Sequence, residues 1–513
     1  MARCEPRRAL LAALLTALPC GGCGQPAAPL SDLDPQRVLA QERAHPRSAA
    51  LRVAAWLEAT AIATPDGLAW PPRPDAPARP AGLDAALPHD LYSGSAGVVL
   101  FFAELAARCG ANESGRRHFA TLARRGADEL LARLPASARP GEPSGLWTGL
   151  AGSGATLLEA GRLLAEPRYV AGALRVVALL QQAAELAGHG VEWSPVTDVI
   201  DGNAGIGLFL LAAHEQTGDP LALELALRTG RRLEQLSRRE PIGRSWEMEP
   251  GFARVMPNFA HGTAGIAYFL ARLAEASGEE RFLDAARDGA DHLLALADRS
   301  NGGCQIGHHS PGGEELHYLG WCHGPAGSGR LFAQLARQCA TKRDAAQRYG
   351  DAARGALQSL LDSGLPAELP GFWNNVGQCC GSAGVIEFLL ELAASDVVAI
   401  NAAERELAMQ LARRLADDLL ARGRRDPRGL SFPHAEQRTR PDAIEAQCGY
   451  MQGAAGIGLA LLHLGAVTER VAVERAAEGP RAVAGWHAVG WPDELAVRFP
   501  DRLLAPPQRA SAR

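Results

Sequence analysis

A short glycine-bearing turn recurs seven times along the chain, and it constrains the fold more than any other feature. Each copy reads Gly-x-Ala-Gly. The first glycines are Gly94, Gly149, Gly202, Gly262, Gly324, Gly381 and Gly453, at intervals of 53 to 72 residues. A nearly continuous apolar run follows each turn, as at 98–105, 206–213 and 266–274. A helix apolar nearly all round is a buried helix. Between the turns lie stretches with helical period and one polar face: 116–134, 168–186, 221–238, 280–298, 343–361 and 402–422, with 35–61 ahead of the first turn. Strand signals are almost absent. Each unit therefore predicts one outer amphipathic helix and one inner apolar helix. Such pairs can stack as an open solenoid, but these inner helices are too apolar to line an open concave surface. The expected fold is all-α, an (α/α) barrel or toroid of seven inner and seven outer helices, with the turns crowded around one mouth. Glycine lets the inner helices approach there, and it permits positive φ in the entering loops.

Composition narrows the function. The 513 residues carry a formal net charge of -5, which provides no electrostatic footprint for nucleic acid or an anionic membrane. The ten cysteines are not spaced as a small disulfide framework. Proline- and glycine-rich loops at 70–81 and 365–371 are too short to separate domains, so 30–502 is expected to be one domain and 503–513 a frayed tail. At the start, Arg3, Arg7 and Arg8 precede an apolar run, 9–18, and then Cys20-Gly-Gly-Cys23. This pattern predicts that 1–29 is an export or lipoprotein-type signal, too short to span a membrane.

The residue before each first glycine holds an equivalent place at the mouth. In order these are Ser93, Thr148, Asp201, His261, His323, Cys380 and Gln452. Helix capping accounts for Ser93, Thr148, Asp201 and Gln452. It does not account for cysteine, and Cys322 and Cys379 stand directly before His323 and Cys380. Two such doublets in adjacent repeats would meet in space. Zinc takes thiolates and imidazoles, and a catalytic site uses three protein ligands plus one exchangeable position. Helix N-termini favour thiolates. Which three of Cys322, His323, Cys379 and Cys380 bind is open on these grounds. One repeat before Cys322 stands His261, and a further repeat back Asp198, a natural acid/base pair. His308, His309 and His317 are expected to be solvated. Cys304, Cys339 and Cys109 are expected to be structural.

These residues resemble the lanthionine synthetase C-like family. The seven turns, Trp321-Cys322-His323-Gly324, the second Cys-x-Gly turn at Cys379-Cys380-Gly381 and Ala260-His261-Gly262-Thr-Ala-Gly265 carry the likeness over about 91–458. The Phe499-Pro500-Asp501 ending is similar as well. The resemblance implies an (α/α) toroid around one zinc, with Cys322, Cys379 and Cys380 as ligands, in the Cys-Cys-Gly subtype where most members have histidine in the last position. It implies that His261 is the catalytic histidine and Asp198 its partner acid. His323 then touches the substrate or orients the site instead of binding metal. Peptide-cyclising members often carry arginine where this chain has Tyr318.

The implied reaction is addition of a cysteine thiol across dehydroalanine or dehydrobutyrine, forming a thioether in a peptide. Zinc would lower the thiol pKa, and His261 would protonate the α-carbon. The partner would be a dehydrated, cysteine-containing peptide or protein supplied by a separate dehydratase, with the cyclase acting as a monomer. Alternatives are addition of glutathione or another small thiol to dehydrated proteins, a non-catalytic zinc-containing binding protein, and an (α/α)-barrel glycosidase. The last needs two carboxylates flanking one bond, and the mouth has few. The signal conflicts with this chemistry, because precursor peptides are usually modified in the cytosol.

Overall fold

The computed structural model describes residues 34–76, 88–108, 113–138, 141–367, 369, 371–394, 398 and 400–478. The signal segment, the tail and Cys109 lie outside them. The elements are overwhelmingly helical: α1 (Pro35–Ala44), α2 (Pro46–Thr60), α3 (Ser95–Arg108), α4 (Glu113–Arg133), α5 (Leu150–Leu163), α6 (Pro167–Ala183), α7 (Asn203–Thr217), α8 (Pro220–Leu236), α9 (Thr263–Ser277), α10 (Glu280–Leu296), α11 (Pro325–Gln338), α12 (Arg343–Asp362), α13 (Ser382–Ala394), α14 (Ala402–Arg422) and α15 (Ala454–Glu478). The all-α expectation is met. A helix follows each of the seven turns, and α3, α5, α7, α9 and α11 are buried along nearly their whole length. The stretch 35–61 is two helices instead of one, because Pro46 cannot continue α1.

The described residues form two compact units, one among those within 34–132, 375–390 and 409–478, the other among those within 133–374 and 391–408. In the second, α5, α7, α9 and α11 each pack on the outer helix that follows, and they pack side by side in chain order. In the first, α15 packs on α2 and α3. The helix that precedes the first turn is therefore an outer partner of the last inner helix. Among the described residues no helix is long and apolar enough to cross a membrane.

Two details bear on these expectations. Among the described residues six two-stranded sheets of very short strands are present, and those at 185–192 and 238–245 are hairpins following α6 and α8. A tryptophan fixes this connection three times. The indole N–H of Trp70, Trp193 and Trp246 donates to the carbonyl of Leu57, Leu180 and Leu233, thirteen residues earlier. The backbone N–H of the same tryptophans donates to Ser95, Asn203 and Thr263, the variable residue of the next Gly-x-Ala-Gly. The second detail concerns the turn glycines, where the expected close approach is met. Gly149, Gly202, Gly262 and Gly324 have φ of -146°, -100°, -155° and -131°, so none needs the left-handed region. Glycine is required for close approach: a Cβ on Gly205, Gly265 or Gly327 would lie 2.1, 2.0 or 1.9 Å from a carbonyl oxygen six residues earlier.

Candidate functional site

Backbone hydrogen bonds join successive turns and set the register of the mouth residues. In the second unit Trp147 N donates to Ile200 O, Val199 N to Ala260 O, and Ala260 N to Cys322 O. In the first, Cys379 N donates to Met451 O, and Met451 N to Tyr92 O. Equivalent positions in neighbouring repeats are thus held beside one another by the main chain, before any side chain is considered.

The glycines, not the residues before them, are the N-caps of α5, α7, α9 and α11, and no side chain caps these helices. The capping role expected of Thr148 and Asp201 is therefore incorrect. Glycine takes the cap, and its neighbour's side chain is left for other partners. Thr148 Oγ1 donates to Asp201 Oδ1.

His261 and Asp198 meet. His261 Nδ1 lies 2.6 Å from Asp198 Oδ2. The other carboxylate oxygen, Oδ1, accepts from Asp201 N at 2.9 Å and Gly202 N at 3.0 Å. Asp198 is 1% exposed, so its two oxygens have fixed tasks. It is an acceptor only, so Nδ1 of His261 must be the donor. The His261 side chain is 32% exposed and can be reached.

His323 is buried, with its ring centroid 5.6 Å from that of His261. The expectation that His308 is solvated is incorrect. Its ring stacks on His323 with centroids 4.0 Å apart, and it meets the ring of Tyr318 edge-on at 4.5 Å. His308 Nδ1 lies 2.8 Å from His309 Nδ1, so one donates and the other accepts. Stacking of aromatic faces, not solvation, holds the loop here. Burial, then the neighbouring His308, His261 and His309, push His323 well below the ordinary histidine range. His317 is half-buried and pairs with Phe372 in a parallel bridge. Tyr318 follows it in the same strand, so both it and His308 flank His323.

Cys322 is 2% exposed, at the turn before α11. Trp321 beside it packs edge-on to Trp147 and against Phe259, with centroids 5.5 Å apart in both cases. Cys379 and Cys380 occupy the turn before α13, with their sulfurs 3.5 Å apart. Two thiolates on one tetrahedral zinc, each at about 2.3 Å, lie about 3.8 Å apart, so this doublet already has nearly the required bite. Cys379 and Cys380 are thus a pair of soft donors within the first unit, and Cys322 is a buried thiol of the second. Cys304 and Cys448 differ in kind. Burial pushes their thiols up to about 11 and about 12, so they are inert apolar fillers.

A model of the family "Lanthionine synthetase C-like protein" matches residues 85–474. No curated protein sequence matches the chain. Among solved structures, the one named "Nisin cyclase" aligns at 16% identity and TM-score 0.48, over 73% of this chain and 87% of that one. An α-1,6-mannanase of Salegentibacter sp. HEL1_6 aligns at 12% identity and TM-score 0.45, over 83% and 99%. The unsaturated glucuronyl hydrolase of Bacillus sp. GL1 aligns at 15% and TM-score 0.40, over 63% and 86%. With the seven turns, the Cys-His and Cys-Cys doublets and a family match over most of its length, this chain belongs to the lanthionine synthetase C-like family.

Proposed function

We propose that the protein is a zinc-dependent cyclase that adds a cysteine thiol across dehydroalanine or dehydrobutyrine in a dehydrated peptide, forming a thioether. The observation that carries this is the His261–Asp198 pair, an oriented acid/base group, in a family member that also has the thiol doublets. A binding protein without catalysis does not account for a histidine that is both oriented by a buried carboxylate and 32% exposed.

Cys322, Cys379 and Cys380 would hold the zinc. Their chemistry fits: three soft donors leave one tetrahedral position for substrate. Bound there, zinc supplies Lewis acidity that keeps a substrate thiol ionised at neutral pH. The rest is done by the chain. His261, held by Asp198 through Nδ1, presents Nε2 and delivers a proton to the substrate α-carbon as the carbon–sulfur bond forms at the β-carbon. Charge on the imidazolium before transfer is favoured by Asp198. His323, backed by the stacked His308, forms a buried aromatic wall beside His261 and contacts or orients the substrate. Trp321 and Phe259 exclude water below Cys322.

The test is metal analysis of the purified full chain, combined with incubation against a dehydrated, cysteine-bearing peptide. Mass-neutral loss of the free thiol with one zinc per chain is expected. A protein that ignores the internal thiol but adds glutathione to the same peptide would replace cyclisation by small-thiol addition.

A further inference from the structure

Gln452 stands in the seventh turn, at the place equivalent to His261 and His323. It is 2% exposed and lies within a chain of hydrogen bonds whose direction can be worked out. The chain starts at a backbone group. Gly377 N–H donates to Asn375 Oδ1 at 2.9 Å, which fixes the orientation of that amide. The other end of the Asn375 amide, Nδ2, lies 3.3 Å from Gln452 Oε1 and donates to it. His434 Nδ1 donates to the Phe432 carbonyl at 3.1 Å, so the orientation of Gln452 rests on the Asn375 donor and not on His434 Nε2, 3.4 Å from the same oxygen. Gln452 is thereby fixed in turn, with Oε1 toward Asn375 and Nε2 away from it. An amide nitrogen carries two hydrogens. Nε2 lies 3.2 Å from Tyr92 Oη and 3.9 Å from Cys380 Sγ. One hydrogen is directed at the phenol oxygen and one at the sulfur.

We propose that Gln452 is a positioning residue for Cys380, giving the sulfur an N–H donor that orients it. The inference builds on the zinc reading above. Three thiolates outweigh the two positive charges of the ion, and a donor aimed at one sulfur relieves that excess. Asn375, 5% exposed, acts one step further out: it prevents the Gln452 amide from turning its oxygen to the sulfur, where two lone-pair bearers would face each other. The backbone supports the same geometry, because Asn375 N donates to Cys380 O at 3.1 Å.

The experiment uses the full chain loaded with zinc, and separately with cobalt(II), as parent, Gln452→Met, Gln452→Glu and Asn375→Asp. Chelator competition reads zinc affinity, and the thiolate-to-cobalt absorption band reads the electron density on sulfur. Unfolding of the metal-free forms controls for structural damage. Gln452→Met is expected to weaken zinc by about tenfold or more and to shift the cobalt band. Gln452→Glu should weaken it further, because it sets a carboxylate against the sulfur. Asn375→Asp should act in the same direction by less, and it decides the matter where Gln452→Met does not fold. Parental zinc affinity and an unmoved cobalt band in the folded variants would overturn the proposal, whatever their unfolding midpoints. A parent that binds no zinc would instead overturn the metal reading, and this proposal with it.

Discussion

At the scale of single residues, Asp198 and His261 show how a loop position becomes chemistry. The Asp198 carboxylate spends one oxygen on two backbone N–H groups and the other on His261. An asparagine there would keep its oxygen on the backbone donors and turn its N–H₂ toward His261 Nδ1, imposing the other tautomer. His261→Asn is expected to keep zinc while losing turnover by about 100-fold or more, the usual worth of a general acid. Asp198→Asn should also keep zinc and lose less, because an imidazole with Nε2–H still carries a proton. Zinc content and single-turnover rates on one peptide check both; a fully active His261→Asn would move the proton donor to another group, with His323 next. The pair was legible in the sequence because both residues sit in repeats with assigned registers. His308 was not. It lies in the glycine-rich segment between α10 and α11, where no periodicity assigns a face, and only the packing against His323 and Tyr318 gives it a role.

At the scale of elements, the repeat announced the helices but not what ties them. The apolar runs and polar-faced stretches located inner and outer helices to within a few residues, because burial imposes a period the eye can follow. The hairpins were missed because two- and three-residue strands are too short to show alternation. A signal existed in the three tryptophans, each thirteen residues after a leucine. The glycines were recognised for close approach, and that is what excludes a side chain in the turns: contact with a carbonyl, while positive φ falls on loop glycines such as Gly251 and Gly312. Gly265→Ala is therefore expected to destabilise the fold by roughly 1–3 kcal/mol or more, as overpacking does, seen as a lower unfolding midpoint; a midpoint equal to the parent's would show that the turn can relax. A second tie between elements joins α3, α13 and α15. His463 Nδ1 lies 2.8 Å from Glu387 Oε1, with the Glu104–Arg108 pair nearby. Burial alone would lower the His463 pKa, but the charge and hydrogen bond of Glu387, with Glu104, outweigh it and Arg108, and the value is raised. A raised value in the folded state stabilises fully below the unfolded value of 6.5, and the effect is lost as pH rises through the folded pKa. The stability advantage of the parent over His463→Gln should accordingly be largest on the acid side of 6.5 and shrink in alkali. Denaturant midpoints of both proteins across that range decide it, and an advantage that grows with pH would contradict the assignment of charge.

For the molecule as a whole, the sequence disclosed the all-α class and the family, since both rest on a pattern repeated seven times. It did not disclose from spacing alone which of Cys322, His323, Cys379 and Cys380 bind metal, because neighbours in sequence differ only in the direction their side chains take. The three-thiol set is the one the family resemblance implies, and it is carried here as a proposal that leaves His323, stacked on His308, out of the ligands. A ligand set of this kind couples metal to folding. An ion that binds the native chain and not the unfolded one adds RT ln(1 + [L]/Kd), about 2.7 kcal/mol when free zinc exceeds the dissociation constant a hundredfold. Residual binding to unfolded cysteines reduces this. In a protein of this size a few kcal/mol moves the unfolding midpoint by only a few degrees, so the informative quantity is the response to a chelator. Chelation is expected to lower the parent's midpoint. Cys322→Ala and Cys379→Ala should remain folded, hold no stoichiometric zinc, and unfold at a midpoint that the chelator leaves unchanged. His323→Ala should retain the chelator response, because the proposed ligand set leaves its imidazole out. Full zinc occupancy in either cysteine variant, or loss of the response in His323→Ala, would show that the ligand set has been drawn from the wrong members of the two doublets.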